Sequence, residues 1–136
     1  MDWITKDILI GNYLDAANTD LLKAEGVRSI VSLDGSLCDA DYSQHGIELA
    51  AFDLIDGAGN SPAQFRRAVD AVAKLRTKAP PLLVHCHAGR SRSPIVVASH
   101  FIRDCGLSLS EAMKLISEKR EVIVTAGLQE VLGFEI

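Results

Sequence analysis

Cys86 and Arg92 stand with five residues between them in the stretch His85-Cys86-His87-Ala88-Gly89-Arg90-Ser91-Arg92-Ser93-Pro94. The apolar run Pro81-Leu82-Leu83-Val84 leads into it, and Ile95-Val96-Val97-Ala98 leads out. That pattern reads as strand, tight loop, helix. It suits a thiolate attacking a phosphate ester held by backbone amides and a guanidinium. A phosphate dianion needs donors on several sides. The turn over His87, Ala88, Gly89, Arg90 and Ser91 can aim successive N–H groups inward, and a helix starting near Ser93 adds the positive end of its dipole. Gly89 permits a backbone shape that a Cβ blocks. The planar fork of Arg92 can take two phosphate oxygens at once, which a lysine cannot copy. The same donors favour a thiolate at Cys86, so no separate base is needed. His85 is expected to fix the loop by hydrogen bonds. The Ser93 hydroxyl is expected within reach of the sulfur, where it would help the thiolate leave.

These side chains need a frame. Ile8-Leu9-Ile10 reads as a short strand stopped by Gly11-Asn12. Asn18 or Asp15 can cap a short helix that carries Leu21 and Leu22 and ends at Gly26. Val27 to Leu33 alternates and is β-branched, so it reads as a strand, and Ile47 to Leu54 as another. Leu37 to Gly46 is polar and reads as a loop. Ser61-Pro62-Ala63-Gln64 opens a helix with a capping Ser and a Pro at the first helical position. Phe65, Ala68, Val69, Val72 and Leu75 follow at helical spacing. Leu82 to His85 is the strand before the loop, and a helix from about Ser93 to Asp104 follows it, ending at Gly106. Ser108 to Glu111 is a capping box that opens a helix bearing Ala112, Leu115 and Ile116. Thr125-Ala126-Gly127 breaks the chain, and Leu128 to Phe134 reads as a short last helix. Strands alternating with helices predict an α/β fold: a central, mainly parallel sheet with helices on both faces. A ligand then binds beyond the carboxyl ends of the strands, where the Cys86 loop falls.

The 136 residues read as one domain over 1–136, with 48% hydrophobic and 24% charged residues, enough for a core. A net charge of −4 gives no general attraction to nucleic acid or anionic membranes. The apolar runs are too short to span a bilayer. Residues 1–7 lack the basic flank and apolar core of a signal peptide. Three cysteines, Cys38, Cys86 and Cys105, make a disulfide framework unexpected and a reducing, cytoplasmic setting the fit for a free thiol. Cys38 and Cys105 read as bystanders, with a protective disulfide to Cys86 as the alternative. His85 and His87 flank Cys86, but no fourth ligand is evident, so no metal site is expected. Arg66 and Arg67 read as a helix face in water. Asp34 reads as a binder of loop backbone.

A bare Cys and Arg with five residues between them occurs often by chance. The full string His-Cys-x-Ala-Gly-x-Ser-Arg-Ser, between strand and helix, resembles the signature of the dual-specificity branch of the cysteine-dependent protein phosphatases. Ile8 to Leu14 is similar to that family's opening strand, and Leu21 to Val31 to its next helix and strand. Low-molecular-weight tyrosine phosphatases and arsenate reductases share the Cys-to-Arg spacing but carry it near the N-terminus. Rhodanese-like domains lack the Ala-Gly-x-Ser-Arg-Ser string.

The resemblance implies a phosphatase fold and a two-step reaction through a phosphocysteine, with no cofactor. It implies a general acid about thirty positions before the Cys. Asp56 lies 30 positions before Cys86 and directly precedes Gly57-Ala58-Gly59, and it is favoured over Asp53. The implied substrates are phosphotyrosine and phosphoserine or phosphothreonine of proteins. The alternative is a phosphoinositide, phosphatidylglycerophosphate or another small phosphate ester, which Arg90 would suit. A catalytically silent phosphate-binding module is the remote alternative. A short chain predicts a shallow pocket, with substrate choice resting on Arg90 and the segment from Leu37 to Gly46.

Overall fold

The computed structural model describes residues 1–133. Asp2–Trp3 (β1), Ile8–Gly11 (β2), Ser29–Ser32 (β3), Glu48–Ala51 (β4) and Leu82–His85 (β5) form one sheet in the order β1-β2-β5-β3-β4. β1 runs antiparallel to β2, and the other pairs are parallel. The helices are Tyr13–Ala17 (α1), Thr19–Ala24 (α2), Pro62–Lys78 (α3), Arg92–Cys105 (α4) and Leu109–Ser117 (α5), with 3₁₀ turns at Ser43–His45 and Leu128–Gly133.

The central strands β2, β3 and β5 are buried at every residue. Alternation along them splits the core in two. Ile8, Ile10, Val31, Leu82 and Val84 pack with Phe65, Val69 and Val72 of α3 and Ile95, Val96 and Phe101 of α4. Leu9, Ile30 and Leu83 face the other way, onto Ala16, Leu22, Val27, Leu37 and Ile47. Helices therefore cover both faces, as the alternating elements predict.

Register gathers the site. Gly11 and Ser32 both lie opposite His85, and Ser32 lies opposite Ala51. The parallel strands thus end on one edge, and the segments after Gly11, Ser32, Ala51 and His85 all emerge there.

Several boundaries differ from expectation. Asn12, not Asp15, opens an additional helix, in a reciprocal capping box with Asp15, while Asn18 caps α2 as predicted. β1 has only two residues, too short for any periodicity to announce. The strand expected over Ile47 to Leu54 pairs only over Glu48–Ala51, then touches β3's exit through an isolated Asp34–Asp53 bridge. α4 begins at Arg92 and ends at left-handed Gly106. The Ser108–Glu111 capping box opens α5. The last turn covers Leu128–Gly133, and Phe134, its expected end, lies outside the described residues. Among the described residues no helix is long and apolar enough to cross a membrane.

Two buried histidines set a pH dependence. Burial pushes His85 below the ordinary imidazole range, against the Cys86 carbonyl and the Asp34 charge, which pull it up. Burial likewise lowers His100, against Asp104. As pH falls below about 6.5, the unfolded chain binds protons that the folded one resists, so stability falls. Urea unfolding is therefore expected to give a lower stability at pH 5.5 than at pH 7.5. Equal or greater stability at pH 5.5 contradicts this.

Candidate active site

The loop after β5 is held from outside, one carbonyl at a time. The Leu33 amide donates to His85 O at 3.0 Å, and the Tyr13 amide to His87 O at 3.1 Å. The His85 ring sits with Nδ1 3.2 Å from Cys86 O. Arg120 donates from Nη2 to Ala88 O at 3.1 Å and from Nε to Gly89 O at 2.6 Å. The Ile123 amide donates to Arg90 O at 2.9 Å. Six consecutive carbonyls, His85 to Arg90, are thereby engaged. A peptide's N–H points opposite its C=O, so the amides turn the other way, into the loop. None of the N–H groups of residues 87–91 has a partner among the described residues. Gly89 is left-handed at φ 69°, and a Cβ there would run into the Gly11 carbonyl and the Arg120 guanidinium.

Cys86 lies inside this ring, 2% exposed. It opens onto a cavity of about 180 Å³ lined by Asp56, His87, Ala88, Arg90, Ser91, Arg92, Ile123 and Thr125. Arg92 donates from Nη1 to Leu54 O at 3.0 Å, and its buried Nε has no partner among the described residues. A buried guanidinium donor left open in the cavity that Cys86 lines suits an anion. Larger cavities lie elsewhere, one of about 510 Å³ near Lys23, Arg28 and His45, at the opposite end of β3. Neither that cavity nor the one of about 480 Å³ beside Tyr42 holds Cys86, so size does not mark the site.

Asp56 crosses 35 positions of sequence to meet the loop: Ser91 Oγ donates to its Oδ1 at 2.7 Å. Asn60 ties the Asp56 turn together, accepting from the Ile55 amide at 2.8 Å and donating to Ile55 O at 2.8 Å. Asp53 points elsewhere. A Cβ on Gly35 would come within 2.8 Å of its Oδ1, and it does not line the cavity. Asp34 binds the Ser36 amide at 3.0 Å, as read from the sequence.

The remaining candidates separate. His87 is exposed and stacks on Tyr13, with ring centroids 4.5 Å apart. Arg90 is exposed at the rim, 3.7 Å from Glu121 Oε1. Ser93 is buried, and its Oγ bonds neither the sulfur nor any other described residue. The segment from Leu37 to Gly46 does not line the Cys86 cavity. Leu37 is drawn into the core with Leu9 and Leu83, and the Tyr42 hydroxyl donates to Ala16 O. Cys105 ends α4, about 20 Å along the helix from the Cys86 end, so it cannot bridge to Cys86 within the chain. Among the described residues no group of three or more His, Cys, Asp or Glu is placed to hold a metal.

Sequence reading missed Tyr13, Asn60, Arg120, Ile123 and Thr125. Arg120 sits in Lys119-Arg120-Glu121, a charge run indistinguishable from a wet surface, and the residues after it show no periodicity.

The family model of the dual specificity phosphatase catalytic domain matches residues 9–133. Dual specificity protein phosphatase 1 of Arabidopsis thaliana is 26% identical over 120 residues, 88% of this chain and 60% of that protein. The chain thus spans less than two thirds of that curated relative. The structure of human DUSP28 superposes with a TM-score of 0.84 at 21% identity, covering 99% of this chain and 95% of that one. PTPMT1, solved in complex with PI(5)P, superposes with a TM-score of 0.78 at 24% identity, covering 97% and 92%. Both share the fold.

Arg120 has a testable share in this geometry. A hydrogen bond from a charged donor contributes about 1.5–3 kcal/mol. Arg120→Ala is expected to weaken inorganic phosphate binding about tenfold or more while the chain stays folded. Calorimetric titration reads it; unchanged affinity shows that the loop holds its shape without Arg120.

Proposed function

We propose, from the premise that this chain belongs to the dual-specificity phosphatase family, that it hydrolyses phosphate monoesters through a phosphocysteine. The observation that carries the reading is the ring of six outward carbonyls around Cys86 with Asp56 at its edge. The inward amides of residues 87–91 and the Arg92 fork bind the three non-bridging phosphate oxygens. The Cys86 sulfur attacks phosphorus, and Asp56 protonates the leaving oxygen. In the second step the Asp56 carboxylate takes a proton from water, and the resulting hydroxide attacks phosphorus. Inorganic phosphate leaves and the thiolate is restored, with the Ser93 hydroxyl turning to donate to the sulfur. His85 supports the loop through Cys86 O. The chemistry asks for no metal or other cofactor, because fixed donors carry the charge. A thiolate nucleophile works where thiols stay reduced, so we place the enzyme in the cytoplasm.

The substrates proposed are phosphotyrosine and phosphoserine or phosphothreonine of proteins. The cavity of about 180 Å³, lined by Ile123 and by His87, which stacks on Tyr13, supports them. A second reading, a phosphoinositide or other small phosphate ester, draws on Arg90 and on the PI(5)P complex of PTPMT1. Arg90 faces Glu121, which offsets the extra charge such a headgroup would seek.

EDTA-resistant hydrolysis of p-nitrophenyl phosphate is expected and should vanish in Cys86→Ser. Asp56→Ala should lose about 10²–10⁴-fold in rate, and Asp53→Ala far less. No turnover between pH 5 and 8 would favour the silent phosphate-binding module. The reverse ranking of the two Asp variants moves the acid to Asp53. Phosphopeptides compared with phosphoinositides decide the substrate class.

A further inference from the structure

Ser91 is misplaced for its local job. It is the residue before the first turn of α4, where a Ser hydroxyl ordinarily accepts a backbone N–H and stabilises the helix by about 1 kcal/mol. Here that cap is not made. The hydroxyl, in a residue only 6% exposed, turns to Asp56 and Thr125 instead.

Its proton arrangement follows from counting. Ser91 Oγ lies 2.7 Å from Asp56 Oδ1, 2.9 Å from the Thr125 amide nitrogen and 3.3 Å from Thr125 Oγ1. The amide can only donate, so the oxygen accepts from it. The hydroxyl has one hydrogen to give. The carboxyl oxygen is the nearer and stronger acceptor, so the hydrogen goes there. Asp56 Oδ1 is therefore occupied as an acceptor. A protonated carboxyl with one oxygen accepting carries its own hydrogen on the other.

We propose that Ser91, oriented by the Thr125 amide, is the positioning residue for the general acid: it reserves Asp56 Oδ1 and leaves the transferable proton on Oδ2. The proposal rests on the reading of Asp56 as the acid. As the Cys86 sulfur bonds to phosphorus, the electron pair of the breaking P–O bond passes to the leaving oxygen. That oxygen takes the Oδ2 proton, and Asp56 is left as a carboxylate still held at Oδ1. Thr125 is well placed to hold this geometry. The Ile123 amide beside it is bonded to Arg90 O, and Gly127 is packed so tightly on Ala58 that a Cβ would stand 2.9 Å from the Ala58 nitrogen. One segment thus touches both the phosphate loop and the turn that carries Asp56.

Leaving-group dependence tests it. A positioned proton matters for a poor leaving group and hardly at all for one that departs as a stable anion. kcat/KM is measured for phenyl phosphate and for 2,4-dinitrophenyl phosphate. Ser91→Ala, and Ser91→Cys at nearly the original volume, are each expected to lose about tenfold with phenyl phosphate, the scale of one hydrogen bond. With the dinitrophenyl ester they should lose less than about twofold. Inhibition by inorganic phosphate should stay unchanged, since the Ser91 amide remains. Ser91→Thr, which keeps a hydroxyl, should recover most of the loss. An equal loss with both esters, or a parallel loss of phosphate inhibition, overturns the proposal by showing general damage to the loop. Asp56→Asn is run beside them. If it is steep where Ser91→Ala is flat, only the positioning role fails. If it too is flat, the acid reading fails, and this proposal with it.

Discussion

Everything at the site depends on where six carbonyl oxygens point. A short loop of residues 86–91 would ordinarily be free to rotate its peptides. Here each carbonyl from His85 to Arg90 meets a donor on the outside, and the amides have only the inside left. The inward-facing amides that the proposed phosphate binding calls on are thus already in place. Left-handed Gly89 is the one point where this packing leaves no space for a side chain, with the Gly11 carbonyl and Arg120 directly against it.

The donors come from distant parts of the chain. Leu33 leaves β3, Tyr13 begins α1, and Arg120 and Ile123 follow α5. They converge because β2, β3 and β5 are adjacent, parallel and in register, and because both faces of the sheet are buried. Arg120 is itself held: its Nη1 donates to Asp2 Oδ2 at 2.8 Å, and the side chain is 12% exposed. The short strand β1 therefore has a reason beyond closing an edge. It carries the carboxylate that keeps a guanidinium in place under the loop.

The turn that carries Asp56 is tied to the same loop by side chains. Arg92 donates to Leu54 O, two residues before Asp56, and Ser91 donates to Asp56 itself. Asn60 closes the turn with both ends of its amide. The sequence offers both Asp53 and Asp56 and favours Asp56 by its place 30 positions before Cys86; in the fold the Asp34–Asp53 bridge directs Asp53 onto Gly35. Their difference is one of direction.

The local signals were legible in the sequence wherever chemistry and backbone preference coincide within a few residues. Cys86, Gly89 and Arg92 declare an anion loop, Ser61 and Ser108 declare helix starts, and β-branched runs declare buried strands. What stayed hidden depends on contacts across tens of residues. Arg120 looks like surface charge until α5 brings it under Ala88 and Gly89. Thr125 looks like a chain break until its amide meets Ser91. Leu37 to Gly46 looks like a rim until Leu37 and Ile47 are seen to fill the core beside Leu9. The sequence alone determined the candidate reactive groups and the alternation that makes an α/β sheet, since both are written in residue type and short spacing. Only the tertiary structure decided which carboxylate faces the thiol and which donors shape the loop. Those are matters of direction, set by strand order and register rather than by any neighbour in the chain.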